Sequence, residues 1–237
     1  MNREGLVAKR RGFEMQTYFG RIYNYMAGGL FMSALMAWLS VREPLVSLFY
    51  KPLQDGTISL SLLGWLAVFA PLIVIFLIGN AVSKLNVKQA QLWFWTFSAL
   101  MGISLGNIFF LYSGAAIFQA FIVTAGMFWA LSLWGAKTDR DLSSWGRFLW
   151  MGLIGIVLAS LVNLFMRSGQ FNFILNILAV VVFVGLTAYD THRLKAMYNA
   201  SDSEDIMNAK AIQGALALYL DFINLFRLML YFLNNRR

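Results

Sequence analysis

Apolar residues along this chain gather into seven long runs separated by short polar stretches, at 22–41, 62–82, 90–111, 115–133, 146–166, 173–197 and 214–233. Each is close to the roughly 20 residues that a helix needs to cross about 30 Å of hydrocarbon. The pattern predicts an all-α membrane protein of seven transmembrane helices, in one domain over residues 1–237 that opens with a short basic tail at 1–21. No linker, low-complexity tract or internal repeat divides it.

Two aspartates interrupt the last two runs. From Phe173 to Tyr189 the chain is almost wholly apolar and then reaches Asp190, while Asp221 lies inside 214–233. An ionisable carboxyl in hydrocarbon is costly and by default marks function. If the bilayer edges fall near Tyr198 and Gln213, at the ends of a polar hairpin from Asn199 to Gln213, each aspartate sits roughly 12 Å deep at a rise of about 1.5 Å per residue. Two carboxyls then share one depth on adjacent antiparallel helices, where they hold one proton between them and titrate as a unit. With both ionised they attract a cation instead, and hard oxygen ligands suit Ca²⁺ better than a transition metal. Two carboxylates are too few for a tight calcium site. Transient coordination of Ca²⁺ at Asp190 and Asp221 is therefore expected, with no resident cofactor. Arg193 follows Asp190 at i+3, on the same helix face, and is expected to pair with it and modulate it; Arg227 faces elsewhere than Asp221 and is not an expected partner.

Composition adds constraints. With 59% hydrophobic and 13% charged residues and a mean hydropathy of +0.65, the chain exceeds the apolar share of soluble domains. A net charge of +8 need not mean a nucleic-acid partner, because the basic residues sit in loops between runs. They collect on the side of the N-terminus, which carries Arg3, Lys9, Arg10, Arg11 and Arg21, and is joined there by Lys84, Lys88, Lys137, Arg140, Arg147, Arg193, Lys195 and Lys210. Positive-inside bias then predicts a cytoplasmic N-terminus. The absence of Cys excludes disulfides and thiolate chemistry. Residues 1–21 have no apolar core of a removable signal, so the first run is expected to serve as its own targeting signal.

Three further features point to packing. Pro71 falls inside the second run, where its missing N–H kinks a helix unless a neighbour satisfies the freed carbonyl. Gly102 and Gly106 have the small-xxx-small spacing of close helix approach. The same segment, GISLG, matches the G-x-S-x-G of a hydrolase elbow, with Ser104 as nucleophile and His192 as the sole imidazole. That motif needs a strand-to-helix turn. Here it lies within a helical run, with Ser104 about 22 Å and His192 about 9 Å deep by the helical rise, so catalysis is not expected. Asn107, Asn163, Asn176 and Asn224 are expected to join helices.

The segments GLTAYDTHRLK (185–195) and ALYLDFINLF (217–226) resemble the two signature helices of the transmembrane Bax inhibitor motif family, especially its bacterial members. The stretch from Ala120 to Phe165 is similar to that family's middle helices. The resemblance implies a seven-helix fold whose last helix is central and wrapped by two three-helix layers. It also implies a pH-sensitive calcium leak in a bacterial inner membrane, with the sensing aspartate pair falling on Asp190 and Asp221. Some members of the family are described as modulators of membrane proteases, so a non-channel regulatory protein with a protease partner is the second reading. Two departures stand out. The family's latching arginine has no counterpart, since 62–82 contains no basic residue, and His192 stands where a glutamine is expected. The expected partners are the lipid bilayer, calcium and protons; neither nucleic acid nor an enzymatic role is expected.

Overall fold

The computed structural model describes residues 3–52 and 58–234, with side chains from residue 14 onward. Its elements in chain order are α1 (Arg3–Ser40), α2 (Val46–Phe49), β1 (Tyr50–Pro52), β2 (Ile58–Leu60), α3 (Leu62–Ser83), α4 (Val87–Leu105), α5 (Ile108–Leu111), α6 (Gly114–Lys137), α7 (Ser143–Met166), α8 (Gly169–Met197) and α9 (Glu204–Asn234). Among the described residues six helical segments are long and apolar enough to cross a membrane: α3, α4 with α5, α6, α7, α8 and α9. The protein is therefore a multi-pass, all-helical membrane protein with one small ribbon. The first expected span, 22–41, lies in α1 as far as Ser40, and the polar Asn24, Tyr23 and Tyr25 dilute its apolar character.

Two sequence expectations need correction. The polar stretch from Asn199 to Gln213 is not a hairpin loop, because α9 already starts at Glu204. The Ser203 hydroxyl accepts from the Ile206 amide at 3.4 Å, and Glu204 and Asp205 place acidic charge in the first turn, where the helix dipole favours it. Glu204, Asp205 and Gln213 are exposed while Ala209, Ala211 and Ile212 are buried, so Glu204 to Gln213 is the amphipathic start of α9 and not a connection. The run 90–111 is also two helices, interrupted at Gly106 and Asn107, where a side chain on Gly106 would meet the Ser40 hydroxyl and the Tyr50 hydroxyl.

The chain forms two compact units, Met1–Ser113 with Tyr198–Tyr219, and Gly114–Met197 with Leu220–Arg237. In the first, α4 packs against both α1 and α3. A methyl on Gly102 would overlap the Ser33 backbone, which is the close approach its spacing predicts. Ser33 then stitches three helices, its hydroxyl lying 2.6 Å from the Ser98 carbonyl and 2.6 Å from the Tyr219 hydroxyl. Pro71 is buried inside an uninterrupted α3. The carbonyl it cannot serve is that of Ala67, and Ser104 on α4 donates its hydroxyl to that oxygen at 2.7 Å. The serine of GISLG is thus a helix-to-helix hydrogen bond, also donated to its own Leu100 carbonyl at 2.9 Å. The antiparallel ribbon pairs Tyr50 with Leu60, and Ser61 caps α3 by accepting from the Gly64 amide at 3.0 Å.

In the second unit α8 packs against both α6 and α7. Glycines set the approach on each side. A methyl on Gly135 of α6 would land on the Ala188 carbonyl, and one on Gly146 of α7 would enter the Tyr189 ring. The Thr191 hydroxyl donates to Ser132 across the α6–α8 seam at 3.2 Å. Phe222 of α9 fits edge-on between Phe121 and Phe128 of α6, with ring centroids 5.7 and 5.6 Å away. The intrahelical asparagines depart from expectation: Asn176 and Asn224 donate to the carbonyls of Asn172 and Leu220 in their own helices, at 2.8 and 2.9 Å.

Candidate functional site: a buried carboxyl pair

Asp190 and Asp221 both lie in the second unit, on α8 and on the second half of α9. The glycine contacts at Ala188 and Tyr189 press α8 tightly between α6 and α7, so the carboxyl that follows has little room to reach water. Asp190 is 6% exposed and Asp221 4%. Oδ1 of Asp190 and Oδ2 of Asp221 are buried and make no hydrogen bond among the described residues. Buried polar atoms are ordinarily satisfied, and a buried carboxylate without a partner is among the most costly groups a protein can hold. Each carboxyl thus keeps one buried oxygen without a hydrogen bond.

Arg193 supplies the counter-charge that its i+3 spacing predicts. Its Nη1 lies 3.5 Å from Asp190 Oδ1, a separation that neutralises charge but is too long for a strong hydrogen bond. The Arg193 side chain is 35% exposed, so water competes for it and the pair can be released. Asp221 lies within electrostatic reach of both Asp190 and Arg193. The three form one cluster of ionisable groups. Arg227 is exposed and makes no ion pair among the described residues. No group of three or more metal-ligating side chains stands together among the described residues.

His192 lies within electrostatic reach of Asp141, in the connection before α7. There the Ser143 hydroxyl and amide bond to Asp141 Oδ1 at 2.5 and 2.9 Å and hold its carboxyl below the usual range, with His192 adding to the effect. The seam of Thr187, Thr191 and Ser132 behind the aspartates was not legible in the sequence. Thr187 and Thr191 each return a hydrogen bond to the carbonyl four residues earlier, at 2.8 and 2.9 Å. Those bonds tie the Thr187 hydroxyl to the backbone and that of Thr191 to the backbone and to Ser132.

The family profile described as inhibitor of apoptosis-promoting Bax1 matches residues 15–237 of this chain. The chain belongs to the Bax inhibitor family. Within it, the Escherichia coli inner membrane protein YbhL is 41% identical over 236 residues, covering 99% of this chain and 97% of that protein. A Rickettsia prowazekii protein is 37% identical over 234 residues, covering 98% and 95%, and one from Borreliella burgdorferi is 37% identical over 221 residues, covering 93% and 92%. In this Bax inhibitor family chain the profile match runs across all of the candidate spans, including both aspartate-bearing helices.

Proposed function

We propose that the protein is a pH-sensitive calcium leak protein of a bacterial inner membrane, gated by a proton shared between Asp190 and Asp221. The observation that carries the reading is the pair of buried carboxyl oxygens that find no hydrogen-bond partner while sharing a cluster with Arg193. Protonated, the pair can bond to itself and lose its charge. Ionised, it repels itself and holds Arg193 or a divalent cation in passage. A two-carboxylate site binds calcium weakly, which a conducting path requires. Arg193 takes the latch role on this reading, since no basic residue lies in α3.

The name of the Escherichia coli relative supports an inner-membrane location, and family membership favours a non-enzymatic role. A seventh span formed by 22–41 in α1, with a cytoplasmic N-terminus, belongs to the same proposal. So does a central last helix: 56% of the apolar window of α9 is buried, against 6 to 39% in the other candidate spans. The test is calcium flux into vesicles containing the purified protein, measured across a range of pH. Permeability above that of empty liposomes, and dependent on pH, is expected; its absence would overturn the reading.

A further inference from the structure

The first unit holds an open cavity of about 390 Å³, lined by Arg21, Asn24, Tyr25, Trp95, Glu204 and Asn208, within the size range of small-ligand pockets. Its walls are α1, α4 and the start of α9. Polar and aromatic groups occupy different levels. Arg21 immediately precedes the apolar run 22–41, and Glu204 and Asn208 precede 214–233, so the rim is polar. Tyr25 lies about one turn farther along α1 and Trp95 about two turns into α4. Their rings sit 6.2 Å apart at 46°, and Gln91 fixes the tyrosine by donating to its hydroxyl at 2.5 Å. Tyrosine and tryptophan at such a level are characteristic of the membrane–water interface.

The rim carries a paired charge of fixed direction. Arg21 Nη1 lies 2.8 Å from Asn208 Oδ1 and 2.7 Å from Glu204 Oε1. Both contacts end on one nitrogen of a guanidinium that has five donors in all, and Arg21 makes no other hydrogen bond or ion pair among the described residues. Glu204 is 71% exposed, which leaves its carboxylate open to a second cation. A cation with spare donors beside an anion with spare acceptors is complemented by a ligand with the opposite pair, anion and cation joined by a short link.

We propose that this cavity binds the headgroup of a zwitterionic phospholipid carrying a primary ammonium, with its phosphodiester on Arg21 and its ammonium on Glu204. Charges then alternate around a closed ring. Arg21 meets the phosphate, the ammonium meets Glu204, and Glu204 meets Arg21. The Asn208 amide N–H₂ supplies a further donor to the phosphate, and the Tyr25 and Trp95 faces, a turn or two deeper, receive the glycerol and the first acyl carbons below the phosphate. A headgroup with only the phosphate leaves two negative charges, its own and that of Glu204, to share the single Arg21 guanidinium. A trimethylammonium headgroup has no N–H to donate to the carboxylate.

The test is native mass spectrometry of the full chain, released from detergent in the presence of phosphatidylethanolamine, phosphatidylglycerol, phosphatidylcholine or free phosphoethanolamine. Phosphatidylethanolamine should be retained by up to about fivefold over the other two lipids, the discrimination expected of one largely exposed charge contact. Glu204→Gln, at a largely exposed side chain, should keep the fold and narrow the ethanolamine-to-glycerol ratio by up to about fivefold. Arg21→Gln should weaken retention of every phospholipid. Equal retention of the lipids by the wild type, or an unchanged ratio in Glu204→Gln, would overturn the proposal. Binding of free phosphoethanolamine as tightly as the lipid would overturn it in favour of a soluble phosphoamine.

Discussion

Pro71 has no N–H for the Ala67 carbonyl one turn before it, and the Ser104 hydroxyl fills that gap at 2.7 Å. In Ser104→Ala the carbonyl loses this donor, and with Ala67 only 6% exposed no water replaces it. An unsatisfied buried group costs about 1–3 kcal/mol, whereas hydrogen bonds between membrane helices average about 0.6 and reach about 1.7 kcal/mol. The hydroxyl is shared with the Leu100 carbonyl at 2.9 Å, which places the expected loss near about 1 kcal/mol, toward the lower figures. The diagnostic quantity is its dependence on residue 71. In Pro71→Ala the backbone regains an N–H for Ala67, and Ser104→Ala should then cost only about 0.3 kcal/mol, leaving a coupling of about 0.7 kcal/mol. Unfolding in mixed micelles by dodecyl sulfate titration, followed by tryptophan fluorescence, gives all four corners of the cycle. Equal costs in the two backgrounds would refute the pairing of serine with the proline-freed carbonyl.

Asp190→Asn and Asp221→Asn should each abolish the pH dependence of calcium flux while leaving the protein folded, because Asn keeps the shape and removes the ionisable proton; a variant that responds like wild type sinks the shared-proton reading. Arg193→Gln should move the midpoint of the flux response to higher pH, by less than about one unit given solvent screening of a third-exposed guanidinium, and an unmoved midpoint would reduce Arg193 to a loop charge. Gly135→Ala drives a methyl into the Ala188 carbonyl, which no side-chain rotation relieves, and should destabilise the α6–α8 seam by about 1–3 kcal/mol in the same micelle titration. The Asp141 carboxyl is held below its ordinary value chiefly by the Ser143 hydroxyl, so its contribution is complete above the unfolded value of about 3.9 and fades as pH falls through the lower folded value. Asp141→Asn should therefore flatten the acid limb of a stability profile by lowering stability at neutral pH while leaving it little changed below the folded value.

What the sequence makes legible follows from how strongly each feature is constrained. A carboxyl inside an apolar run has few destinations, so the burial of Asp190 and Asp221 could be read directly, and an i+3 cation has a fixed bearing, so Arg193 could be paired with Asp190. The start of α9 was hidden because polar side chains on an amphipathic turn look like a loop until Ala209, Ala211 and Ile212 are seen facing inward. Ser104 illustrates a motif whose letters suggested chemistry and whose neighbours supplied packing. The Ser132–Thr191 bond and the cavity beside Arg21 were out of reach for a different reason: each joins residues remote in the chain, and hydroxyls in helices do not announce their partners.

Both compact units are discontinuous, and each is completed by a part of α9. The contacts that tie the start of the chain to its end span nearly its whole length, as between Arg21 and Asn208, 187 residues apart, and between Glu14 and Tyr198, 184 apart. During synthesis the early helices emerge first and wait for their last partner. At a pace of about 5–20 residues per second the Arg21 guanidinium stays without its partners for roughly ten seconds or more. The final segment therefore acts as a checkpoint on assembly: a chain broken before α9 leaves two incomplete halves, not one finished unit and one missing one, and presents quality-control proteases with both at once.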